Sequence, residues 1–134
     1  MPRMSNAAFV ENWFNEWRPE PPVYGRATRL LSKLLEHQPS EAWRRIQTLV
    51  AGASSSEDLE YIGSGPLEDL LCWHGAQALF WVEEKAAVNP RMVKCVGAVW
   101  APNRMDAALH ARLDRFRQSS VSSERPRRNP GHVV

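Results

Sequence analysis

Strand-forming alternation is missing from this sequence. Nowhere do β-branched residues recur at period two for long enough to read as a strand, and only the short run from Val96 to Trp100 is ambiguous. No run approaches the ~18 apolar residues of a membrane span, so a membrane protein of the helical kind is not expected. The first fourteen residues, MPRMSNAAFVENWF, hold no apolar stretch of the secretory type, so a cytoplasmic protein is expected. Cysteine is limited to Cys72 and Cys95, widely spaced in apolar surroundings, which favours reduced, buried thiols over a disulfide framework. Also absent are His-x-x-x-His, Cys-x-x-Cys, a serine nucleophile elbow, and a Gly-Lys-Ser or Gly-Lys-Thr phosphate loop. No metal, cofactor or catalytic group is therefore expected.

What is present is helical. Apolar residues make up 43% and charged residues 24% of 134, the balance of a folded domain rather than a disordered chain. Phe9, Val10, Trp13, Phe14 and Trp17 recur at steps of three and four behind a cap at Ser5 or Asn6. Three prolines in RPEPPVYG then break the helix. Leu30, Leu31, Leu34 and Leu35 resume the period as far as Pro39. Beyond it Trp43, Ile46, Leu49 and Val50 share a face. AGASSSEDLE reads as a polar connection with a short helical turn starting at a serine. Asn89 followed by Pro90 is a helix-start signal. Met105, Leu109, Leu113 and Phe116 form the stripe of a last helix. The expected fold is all-α: six or seven short helices in antiparallel pairs, as a small bundle or short solenoid-like stack. One domain is expected over residues 1–119, with a mobile basic tail over 120–134.

Two compositional features bear on function. Six tryptophans are many for this length, and burying all of them would strain a small core, so some are expected at the surface. The net charge of +2 is uneven: six arginines against two acids lie between Arg112 and Val134, leaving the remainder mildly acidic.

The stretch YIGSGPLEDLLCWHG, from Tyr61 to Gly75, comes nearest to a site. Glu68, Asp69 and His74, with Glu83 and Glu84 beyond, are the residue types that bind metals or move protons. Their spacing is wrong for it: six residues from Glu68 to His74, and five from Asp69, put them on different faces of a helix. A structural job accounts for each residue. Gly63 and Gly65 free the backbone to turn, and Pro66 opens a helix. Glu68 and Asp69 sit in its first turn against the dipole, and Leu67, Leu70, Leu71 and His74 face inward. Gly75 ends the helix with a left-handed residue. In that reading the block is a joint between helices, with Glu68 or Asp69 pairing with Arg91 or Arg44.

The same block resembles a family of small bacterial domains of uncharacterised function. The residues that carry the likeness are Gly63, Gly65, Pro66-Leu67-Glu68-Asp69-Leu70-Leu71, His74-Gly75, Glu83, Pro90-Arg91 and Val99-Trp100, with PSEAWRRI upstream. The resemblance covers roughly residues 28 to 101 and implies no activity.

The function expected is a non-enzymatic protein-interaction module, such as an immunity or inhibitor protein that neutralises a protein target. Acidic helices would supply charge complementarity at Glu57, Asp58, Glu60, Glu83 and Glu84, and Trp73 and Trp81 the anchors. The alternative is a nucleic-acid-associated protein that neutralises phosphates with Arg112, Arg115, Arg117, Arg125, Arg127 and Arg128.

Overall fold

A computed structural model describes residues 4–100 and 104–128, with side chains described as far as residue 119. Every regular element among them is helical. The helices are α1 (Asn6–Trp17), α2 (Arg26–His37), α3 (Pro39–Gly52), α4 (Ser56–Ile62), α5 (Glu68–Ala86), α6 (Pro90–Gly97) and α7 (Ala107–Arg128), with a π-helical turn, Gly63–Leu67, between α4 and α5.

The local signals act where they were expected. Ser5 caps α1 by accepting the N–H of Ala8, and Ser55 caps α4 by accepting that of Asp58. Asn89 accepts the N–H of Arg91 with Pro90 at the first helical position of α6. Only Gln38 separates α2 from α3, and the two helices pack against each other. The helix α5 lies against α2, α3, α6 and α7, so its apolar face meets most of the bundle. Trp13, Phe9, Ile46, Leu49, Ile62, Leu67, Leu70, Leu71, Leu79, Met92 and Leu113 are essentially sealed from water. Removing such side chains from water at about 25 cal/mol per Å² is the main driving force for the fold.

One boundary differs from expectation. The α7 backbone stays helical past Ser119 to Arg128, so the change in composition does not coincide with a helix end. Residues 129–134 of the expected tail lie outside the described residues.

Candidate functional site

The Tyr61–Gly75 stretch is not a turn followed by a new helix. Gly63 has φ −65° and ψ −45°, and the chain remains helical from Ser56 to His74. Pro66 lies inside that helix. An α-turn would press its ring on the carbonyl four residues back, and the wider π-turn relieves this. Gly63 has a different cause. A Cβ there would stand 2.0 Å from the carbonyl oxygen of Cys95, so α6 crosses against bare backbone. Gly65 faces open space, and no contact requires its being glycine. Gly75 has φ 56° and ψ −131°, the positive φ expected of it, and this non-helical residue ends one helical stretch of α5 where the next begins.

Because the chain is already helical at Glu68, that residue and Asp69 do not cap a free helix end. Their partner is neither Arg91 nor Arg44 but Arg104. One guanidinium nitrogen meets Glu68 at 2.9 Å and the other meets Asp69 at 2.8 Å. Glu68 also accepts the backbone N–H of Trp100 at 2.8 Å, which ties the segment after α6 to the start of α5. His74 points the other way and donates from Nε2 to the carbonyl of Leu35 at 2.5 Å. The three residues do not converge on one hollow.

His74 belongs to a wider pattern in which polar and charged side chains finish the ends of distant helices, where backbone groups lack intrahelical partners. His74 takes a carbonyl in the last turn of α2. Arg91 donates to the carbonyls of Val50 and Ala53 at the end of α3. Arg117 donates to Val99 at 2.8 Å, just past α6. At the opposite pole, Glu16 accepts the N–H groups of Gly25, Ala27 and Thr28, and so caps α2 from α1. A Cβ at Gly25 would collide with that carboxylate. Burial alone would raise the pKa of Glu16, but these bonds and the Thr28 hydroxyl outweigh it and hold the group below the usual glutamate range. Arg44, the other partner expected for the acids, pairs with Glu41 on its own helix.

The interaction candidates separate into three kinds. Asp58 is buried and structural: it accepts from the N–H and hydroxyl of Ser54 and from Arg18 at 2.9 Å, so it offers nothing to a partner. Glu83 is half-buried in a two-pronged pair with Arg112, and Trp81 is half-buried, stacked on Trp43 with ring centroids 6.5 Å apart. Glu57, Glu60, Glu84 and Trp73 are exposed. Glu57 and Glu60 border a groove of about 620 Å³ between α4 and α6, walled also by Tyr61, Val93 and Lys94. Three further exposed aromatics, Tyr24, Phe80 and Trp100, were not among the candidates. Phe80 sits in a helical apolar run, where periodicity alone does not tell which rings a neighbour covers.

Of the six arginines of the nucleic-acid alternative, Arg112 and Arg117 hold partners within the protein. Arg115 is exposed, and the side chains of Arg125, Arg127 and Arg128 lie outside the described residues. Cys72 is half-buried rather than buried, and Cys95 is buried, both as free thiols.

No curated protein and no solved structure matches the chain. A family model does match, over residues 19–121, beyond the stretch of 28 to 101 that carries the resemblance and taking in the prolines before α2 and most of α7. The chain belongs to the family of unknown function DUF6869.

Proposed function

We propose that the protein is a non-enzymatic helical module that binds another protein through the Trp73 and Trp100 end of α5. The observation that carries this reading is the pair of indoles left in water, Trp73 at 49% and Trp100 at 75% exposure. Trp73 is five residues beyond Glu68, about 7.5 Å along the helix axis. Glu68 in turn holds the backbone of Trp100, which ties that residue to the start of the helix that carries Trp73. Large rings left in solvent gain by being covered in a complex, and tryptophan is among the residues enriched at binding hot spots. Between α5 and the start of α7, Trp73 also borders a groove of about 590 Å³ with Asp106, Leu109 and Arg112, a concave seat beside an aromatic anchor. The acids that would serve an enzyme, Glu68 and Asp69, are engaged by Arg104 instead.

The finer form of this proposal is a bacterial cytoplasmic inhibitor or immunity protein. It covers the working surface of a target and uses the exposed Glu57, Glu60 and Glu84 for charge complementarity. The test is reconstitution. A protein captured from the native host by the wild-type chain is purified and titrated against wild type, Trp73→Ser and Trp100→Ser. The expected result is a saturable complex weakened at least tenfold by each substitution. Unchanged affinity in both variants, or no complex between the purified components, overturns the proposal.

A further inference from the structure

Residues of α2, α3 and the start of α1 border a groove of about 870 Å³. Its lining is uneven in charge. Arg26, Arg29 and Lys33 come from α2 at helical spacing, and Arg44 and Arg45 from α3. Glu41 is the one carboxylate among its lining residues. Met4, Leu30 and Leu34 supply an apolar surface between the cations. Arg45 is fixed: it is buried, donates to the carbonyl of Met4 at 2.8 Å, and lies over the ring of Phe9 at 4.9 Å. Arg29 uses one nitrogen on the carbonyl of Tyr24 and keeps its other donors. Among the described residues, neither Arg26 nor Lys33 enters an ion pair.

Cations gathered around a concave, partly apolar surface repel one another until an anion enters, and low-dielectric walls strengthen its attraction. We propose that this groove binds a compact polyphosphate carried on an apolar or planar body, the nucleoside di- or triphosphate class. The volume falls within the ~300–1,000 Å³ of small-molecule sites. Five cations opposed by one carboxylate match the several charges of a polyphosphate better than those of a single carboxylate. From Arg26 to Lys33 the basic stripe is about 10 Å long, the span of one small ligand rather than a track for a nucleic-acid strand. The guanidinium groups suit phosphate oxygens, and Leu30 and Leu34 suit the uncharged body.

The test is calorimetric titration of the full chain with ATP, with tripolyphosphate, and with a single-stranded RNA oligomer, all at matched ionic strength. ATP is expected to bind saturably at one site, to raise the unfolding temperature above that in equimolar sodium chloride, and to bind at least tenfold more tightly than tripolyphosphate. Arg26→Glu and Lys33→Glu change exposed side chains on one helix face, and each is expected to weaken ATP at least tenfold while leaving the circular dichroism unchanged. The wild-type titration decides the matter even if a variant misfolds. No saturable ATP binding, equal affinity in folded variants, or RNA bound more tightly than ATP overturns the proposal. Equal affinity for ATP and tripolyphosphate overturns the role of the apolar surface.

Discussion

The carboxylate of Glu16, near the end of α1, accepts the hydroxyl of Thr28 at 2.6 Å and its backbone N–H at 2.8 Å. With the N–H groups of Gly25 and Ala27, one side chain satisfies the start of a helix that has no side-chain cap from its own neighbour, Gly25. Replacing it strands several donors at once. Glu16→Ala is expected to cost about 2–3 kcal/mol, more than the ~1 kcal/mol of a usual cap, because no serine or aspartate stands at Gly25 to take over. Urea unfolding with an unchanged slope and a lowered midpoint is the expected reading. A loss below about 0.5 kcal/mol would mean that water replaces the carboxylate.

The same carboxylate, with Asp58, sets an acid limit. Burial would raise Asp58, but the bonds from Ser54 and Arg18 prevail and hold it low. Both groups therefore have folded-state values below their unfolded ones. Protons go to the unfolded chain first as pH falls, so the stability these groups contribute is whole above the unfolded values, about 4.3 for Glu and 3.9 for Asp, and is lost below them. The urea midpoint is expected to drop steeply below about pH 4.5. The drop should be shallower in a Glu16→Gln, Asp58→Asn double variant, which starts less stable at neutral pH.

Three glycines in one stretch should respond to alanine in three ways. Gly63→Ala drives a methyl into the Cys95 carbonyl and is expected to cost about 3 kcal/mol, the upper part of the overpacking range, since backbone rather than a flexible side chain must yield. Gly75→Ala meets no atom but must hold φ 56° with ψ −131°, a conformation open chiefly to glycine, at about 1–3 kcal/mol. Gly65→Ala, in open space within a helix, should be neutral or gain about 0.5–1 kcal/mol. Unfolding midpoints of the three variants check the order, and a Gly65→Ala loss as large as that of Gly63→Ala would contradict the packing account.

These glycines also mark how far the sequence is legible. Helix starts at Ser5, Ser55 and Asn89 rest on contacts two or three residues away, so their patterns can be read from the chain alone. The apolar stripe of α2 is similarly local. Gly63 is different: its reason is α6, which arrives thirty residues later, and a glycine beside a proline otherwise looks like a turn. The partner of Glu68 is obscured for the same cause. The sequence offers Arg44 and Arg91 as partners, and the fold brings Arg104 there instead. Long-range pairs between charged groups have no periodicity to betray them.

Exposure separates the tryptophans by what their loss should do. Trp73→Ala and Trp100→Ala remove rings that water already reaches and should change stability by less than about 0.5 kcal/mol. Trp13 is 1% exposed and packs edge-on to Phe14 with centroids 5.1 Å apart, so Trp13→Ala should cost about 3–5 kcal/mol. Thermal or urea unfolding of the three variants gives the contrast. A large loss at Trp73 would show that the ring is spent on the fold and not kept for a partner.

The two thiols should report on the same architecture from inside. Cys95 lies under Gly63, fully sealed, and burial pushes its thiol up to about 12, against a smaller opposing pull from Arg91. At pH 8 almost none of it is thiolate, and reagent cannot reach it without separation of α4 and α6. Cys72 borders the groove beside Trp73, and its thiol is also raised, first by burial, with Arg104 pulling it down and Glu68 and Asp69 pushing it up. Labelling with an aromatic disulfide should therefore modify Cys72 slowly and Cys95 only as the protein opens. In Gly63→Ala, where the crossing of α6 is forced apart, the Cys95 rate should rise while that of Cys72 stays near its wild-type value. Equal acceleration of both would point to general unfolding rather than to loss of this one close crossing.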